Sequence, residues 1–388
     1  MSAFLRVKKG PFLRMTAAAL GLLIAVSIPV YAAAVPPAVA APSSLLMDAA
    51  TGTVLAEHNA RDTRAPASVT KVMTLLLAME AMEAGVLKDA DMVTVSARAA
   101  GMGGSQVYLA EGEQVSVRDL LAAIAIASGN DAAVALAEHI AGSEESFVAR
   151  MNQRAAELGM TETVFKNCTG LPASGHITTS YDIALMSREL LKHRRVTEHT
   201  TVWMSSLRDG TFGLNNTNRL VRYYPGTTGL KTGSTAEAGY CIAATALRDG
   251  MELIAVVMGS DTSAERFDAA TRLLDYGFAT YTLTPATPDR LPMPVTVKLG
   301  ERASVTAVVE SERQVVLEKL QLANLQRTVV LEETVTAPVE RGQRLGTLTL
   351  KSGDTVIAEV PMVAAESVAR LTVGRVFSAL LRTLFLRR

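Results

Sequence analysis

The sequence predicts an α/β (α+β) domain with a helical insert, followed by a small all-β domain and a short C-terminal helix. Strand-like and helix-like segments alternate from Ser43 to about Tyr281. Pro285, Pro288, Pro292 and Pro294 then crowd one short stretch, the composition of a linker. Beyond them the texture changes to short, β-branched, alternating runs, as in a compact β domain. A chain of 388 residues is also longer than one ordinary domain.

Residues 1–40 carry Arg6, Lys8, Lys9 and Arg14, no acid, an apolar run from Met15 to Val30, and an Ala38-Val39-Ala40 cleavage pattern. That layout predicts a secretory signal peptide, because the apolar run is short for a membrane span and ends before Pro36-Pro37. Ser44–Asp48 and Thr53–Glu57 flank a turn and read as a hairpin. Val69–Ala84 is apolar almost all round, which predicts a helix buried in the interior. Val117–Ala127 and Asp131–Ile140 read as two helices joined at Ser128-Gly129-Asn130, and Tyr240–Leu247 with Glu252–Gly259 as a second hairpin. Residues 41–284 form one domain on this basis, 285–294 a linker and 295–365 the β domain. The β domain's strands are expected around 295–297, 303–309, 328–331, 348–350 and 356–360. In residues 366–388, Val373, Val376, Phe377, Leu380, Leu381 and Leu384 share one helical face, with Arg375, Ser378 and Arg382 opposite. No acid follows Glu366, so a cationic amphipathic helix lying in a bilayer interface is expected.

Composition narrows the function. Lys+Arg 38 balance Asp+Glu 38, so no global basic field points to nucleic acid. Cys168 and Cys241 are too few for a disulfide scaffold or a four-ligand zinc site, and are expected as two separate buried thiols. The histidines show no metal-ligand spacing, so neither a metal nor another cofactor is expected. His176, in the loop 170–180, reads as an exposed loop histidine in preference to one lining a cleft.

Three short motifs carry the chemistry. Ser68-Val69-Thr70-Lys71 is the one S-x-x-K in the chain, and residues i and i+3 of a helix share a face, so hydroxyl and amine can meet. A serine needs a base, and a lysine serves as one only when neutral, which burial and a second nearby cation promote. Ser128-Gly129-Asn130 offers a hydroxyl and a carboxamide suited to relaying a proton and gripping an amide. Lys231-Thr232-Gly233 offers a cation and hydroxyl for a carboxylate, and a glycine that lets a substrate backbone approach. Asn216-Thr217-Asn218 either borders the same site or simply starts a strand. Arg266 and Leu273–Phe278 read as packing on a closing helix.

In this order, S-x-x-K, S-x-N and K-T-G form the signature set of penicillin-interacting serine enzymes. The chain resembles the low-molecular-mass penicillin-binding proteins, serine-type D-alanyl-D-alanine carboxypeptidases, over roughly residues 43–365. The resemblance implies a penicillin-binding/serine β-lactamase-like fold. It also implies that Ser68 is the nucleophile, Lys71 its base and Ser128 a proton relay. Backbone N–H groups of Ser68 and Ser234 would form the oxyanion hole, and Asn130, Lys231, Thr232, Gly233 and Ser234 would bind substrate. The implied substrate is a peptidoglycan stem pentapeptide, with β-lactams as covalent inhibitors and the outer face of the bacterial cytoplasmic membrane as the workplace. Two other activities share parts of the pattern. A D,D-endopeptidase would cut cross-links with the same motifs. A serine β-lactamase typically adds an E-x-x-L-N loop and an S-D-N, neither of which is present.

Overall fold

The computed structural model describes residues 35–290, 293–311 and 313–385; most of the expected signal segment therefore lies outside the described residues. Five antiparallel strands form the main sheet, in the order Val54–His58, Ser43–Asp48, Met251–Ser260, Gly239–Arg248 and Thr227–Thr235. Pairing of Leu45 with Val256 ties the start of the chain to its return, so the mostly helical stretch between them is bracketed by one sheet. Both faces of that sheet are covered, which explains the unbroken apolar run 253–258 within the strand Met251–Ser260. Ile254, Val256 and Met258 enter one core, while Leu253, Ala255 and Val257 enter the other.

The first core surrounds the helix Lys71–Glu83, whose Val72, Met73, Leu75, Leu76 and Met79 are all buried, as an apolar circumference requires. Its start departs from expectation. Ala67–Thr70 is a 3₁₀ turn, and the α-helix begins only at Lys71. The second core is closed by Ser263–Thr280, which begins with a Thr262/Glu265 capping box and buries Ala269, Ala270, Leu273 and Leu274. The segment expected as one helix over 117–127 changes form midway. An α-helix at Val117–Ala122 passes into a π-turn at Ala123–Ala127 and stops at Ser128, whose φ is +63°. A new helix then runs Asn130–Ala141.

Tyr281–Pro285 pairs with Gln314–Glu318. A six-stranded sheet follows, in the order Leu325–Leu331, Arg344–Ser352, Thr355–Ala364, Ser304–Val309, Met293–Lys298, Thr334–Thr336. Each expected β run overlaps one of these strands. Of the Pro-rich stretch 285–294, Pro285 ends one strand and Met293-Pro294 open another. A last helix spans Val373–Phe385, with Val373 and Phe377 exposed. No helix among the described residues is long and apolar enough to cross a membrane.

Candidate active site

The fold brings all three motifs to one crevice beside the edge strand Thr227–Thr235. In a 3₁₀ turn residues i and i+3 eclipse, so Ser68 and Lys71 stack more directly than on an α-helix. Lys71 is wholly buried, and its Nζ donates to Ser68 Oγ (2.9 Å), Asn130 Oδ1 (2.6 Å) and Thr169 O (2.7 Å). Asn130, at the first turn of its helix, is held in turn by Nδ2 donating to Gly103 O at 2.7 Å. The first and second motifs are thus joined by one direct hydrogen bond. Ser128, two residues before Asn130, bonds to neither Ser68 nor Lys71; its Oγ is buried without a partner.

Lys231, Thr232 and Gly233 lie on the edge strand, all buried, with Ser234 exposed just beyond them. A Cβ added at Gly233 would stand 2.7 Å from Ser68 N and 2.9 Å from Val69 N. The glycine therefore makes room for the serine-bearing turn itself, whereas sequence reasoning had it making room for substrate. Lys231 Nζ donates to Thr232 O (2.9 Å), and Thr232 Oγ1 donates to Thr217 Oγ1 (2.8 Å), so the Asn216–Asn218 segment does border the site.

Burial dominates the electrostatics. It pulls the Lys71 amine down to about 7, against opposing pulls from the Cys168 thiol and the Asp131 carboxylate. Lys231 is pushed well below the ordinary lysine range, first by burial and then by repulsion from Lys71 and Arg266. The crevice is a desolvated place where amines lose protons readily.

Three supporting groups escaped sequence reasoning. His176 is buried, not exposed: its Nε2 lies 3.0 Å from Thr70 Oγ1, which itself donates to Ala67 O at 2.9 Å. Ala67 has a φ of +48°, strained for a residue with a side chain, so this chain of bonds braces the backbone just before Ser68. Gly170 leaves the space that the Ala67 carbonyl needs, since a Cβ there would sit 1.8 Å from that oxygen. Burial draws His176 down to about 4, so it is neutral near pH 7. Arg266, expected only to pack, is buried and donates to Gly233 O (3.1 Å) and Cys241 O (3.3 Å), fixing the K-T-G strand from behind. Thr169 supplies the third acceptor for Lys71 through its carbonyl, a contact with no sequence signature. Cys168 and Cys241 are both buried and free, as expected.

A serine–lysine pair, an S-x-N turn and a K-T-G edge strand on this sheet define a penicillin-binding serine hydrolase. Residues 30–262 match the family described as D-alanyl-D-alanine carboxypeptidase, and residues 282–370 match that of the penicillin-binding protein 5 C-terminal domain. The chain belongs to the D-alanyl-D-alanine carboxypeptidase family and is a serine D-alanyl-D-alanine carboxypeptidase, a hydrolase of the cell wall. It is 43% identical over 335 residues to the D-alanyl-D-alanine carboxypeptidase DacF of Bacillus subtilis, covering 85% of this chain and 86% of the relative. Among solved structures, penicillin-binding protein 5 from Haemophilus influenzae superposes with a TM-score of 0.80 at 28% identity, over 87% of this chain and 100% of that one. Penicillin-binding protein D2 from Listeria monocytogenes in its ampicillin-bound form reaches 0.57 at 32% identity, over 62% of this chain and 98% of that one.

Proposed function

We propose that Ser68 Oγ attacks the carbonyl between the last two D-alanines of a stem pentapeptide. In its amine form Lys71 takes the Ser68 proton across the 2.9 Å contact, the hydroxyl then donating to Nζ. The observation carrying this assignment is a wholly buried amine within hydrogen-bond reach of a serine hydroxyl. Backbone N–H groups of Ser68 and Ser234 receive the developing oxyanion. Ser128 passes a proton to the departing D-alanine amine; its unpartnered hydroxyl is free to make that bond. Asn130, Lys231 and Thr232 hold the peptide and its terminal carboxylate, and Gly233 keeps the strand close to the serine turn. An entering carboxylate returns Lys231 to its ammonium form, since opposite charge favours protonation. Water then cleaves the Ser68 ester, releasing a tetrapeptide.

β-Lactams, which resemble the terminal dipeptide, acylate the same hydroxyl. Residues 1–40 act as an export signal, 41–284 as the catalytic domain and 295–365 as a β domain behind the linker 285–294. The helix within 366–388 rests on the outer face of the membrane. Exposed Val373 and Phe377, with no acid after Glu366, support that last assignment, and loss of vesicle binding on deleting 366–388 tests it.

The purified protein is expected to release D-alanine from a diacyl-Lys-D-Ala-D-Ala peptide and to be labelled by fluorescent penicillin. Ser68→Ala should reduce both by at least about 10³-fold while the fold persists. Undiminished labelling of Ser68→Ala would show that another residue is the nucleophile.

A further inference from the structure

Beyond the end of the K-T-G strand lies a cavity of about 620 Å³ that shares Ser234 with the site at Ser68 and none of its other residues. It opens where two strands of the main sheet end and a third begins, and its walls include Thr235, Tyr240 and Gly259. Charges of both signs line it. Glu237 and Asp261 are exposed at its mouth. Arg64, half-buried, reaches over Gly259, where an added Cβ would come within 3.4 Å of its Nη1. Its Nε is buried without a hydrogen-bond partner, and among the described residues no carboxylate lies within ion-pair distance of its guanidinium. A half-buried guanidinium left unmatched is a ready receptor for a carboxylate, which it binds through paired donors.

The direction of the substrate leads into this cavity. With the terminal carboxylate at Lys231 and Thr232 and the oxyanion at the Ser234 N–H, the peptide lies antiparallel to an edge strand. Its upstream residues then pass Thr235. At about 3.3 Å per residue, the residue preceding the acyl D-alanine lies one step, about 3.3 Å, further along the strand, on the side of Ser234 and Thr235, which both line the cavity.

We propose that this cavity is the subsite for the side chain of the stem peptide's third residue, and that it selects a side chain ending in both an ammonium and a carboxylate. Glu237 and Asp261 take the ammonium and Arg64 takes the carboxylate. A diamino diacid at the third position meets both demands, whereas lysine meets only one. The assignment rests on the carboxypeptidase reading above and narrows its substrate class.

The test uses the full-length protein with three peptides ending in D-Ala-D-Ala. Their third residues are meso-diaminopimelate, its side-chain amide, and L-lysine. D-Alanine release should give a kcat/KM about tenfold higher for the free diacid than for the other two, the size expected for one charge-assisted hydrogen bond to a half-buried group. Arg64→Gln should remove that advantage while leaving the lysine peptide within twofold. The amidated peptide asks the same question of unmodified protein, so a poorly folding variant does not leave the point open. Penicillin labelling of Ser68 should be equal in both proteins. Equal rates on all three peptides, or an Arg64→Gln loss shared by all three, would overturn the subsite while leaving the carboxypeptidase assignment standing. Release from none of them would overturn both.

Discussion

Up to Thr284 the buried side chains include Lys71, Asn130, Asp131, Lys231 and Arg266, whereas beyond it every buried side chain among the described residues is apolar. The later core is built from residues such as Val295, Val305, Leu348, Leu350, Val360 and Met362. Burying a lysine is expensive unless its hydrogens find acceptors, and the earlier part supplies Asn130 Oδ1 and Thr169 O for the two of the Lys71 amine, with Ser68 Oγ for the third of the ammonium. The difference teaches where this protein buries its polar side chains. Buried amines and carboxamides gather around the serine, while the β part follows ordinary rules of hydrophobic packing.

Substitutions on the two sides of that divide sharpen the contrast. Gly233→Ala should have the largest effect. Its Cβ would sit within 3 Å of two backbone nitrogens of the serine turn, so strand or turn must move. A displacement near 1 Å lowers acylation by about 10²-fold, measured as the rate of penicillin labelling. Equal labelling would mean that the turn and strand need no such contact. His176→Phe should slow labelling by about tenfold, through loss of the Thr70 brace on Ala67, with KM for peptide little changed. His176→Asn, which can still donate to Thr70, should recover part of the rate. A fall in stability with no change in rate would assign His176 to packing alone. Leu348→Ala lies on the other side. It should cost about 2–5 kcal/mol of stability by leaving a cavity, with peptide hydrolysis within twofold of the parent. A matching loss of activity would contradict the division of labour.

Much of this was legible in the sequence because it rests on short-range pattern. The motif set, the buried helix after Ser68, both hairpins and the β-branched runs each announce themselves within a few residues. What escaped depends on distant partners. The strand Thr227–Thr235 contains Gly229 and Gly233, poor strand formers, and is held by pairing with Gly239–Arg248 and by Arg266 behind it. His176 sits in a polar, glycine-bearing segment that reads as an exposed loop. Contacts with Thr70, more than a hundred residues away, and with the edge of Phe165 bury it. The 3₁₀ start at Ala67 and the π-turn before Ser128 are likewise set by the crowding of the crevice, not by local propensity.

The central claim is that Lys71 is a neutral amine beside Ser68 at working pH. Its depressed value fixes the sign: below about 7 it is an ammonium and cannot accept the serine proton, and above about 7 it can. His176, held near 4, stays neutral throughout that range. The most direct measurement is the rate constant for Ser68 acylation by fluorescent penicillin between pH 5.5 and 9. The expected profile rises about tenfold per unit at low pH and levels off around a midpoint near 7. A rate that keeps climbing to pH 9, as for a lysine of ordinary basicity, or one that is flat throughout, would contradict the assignment of Lys71 as the base.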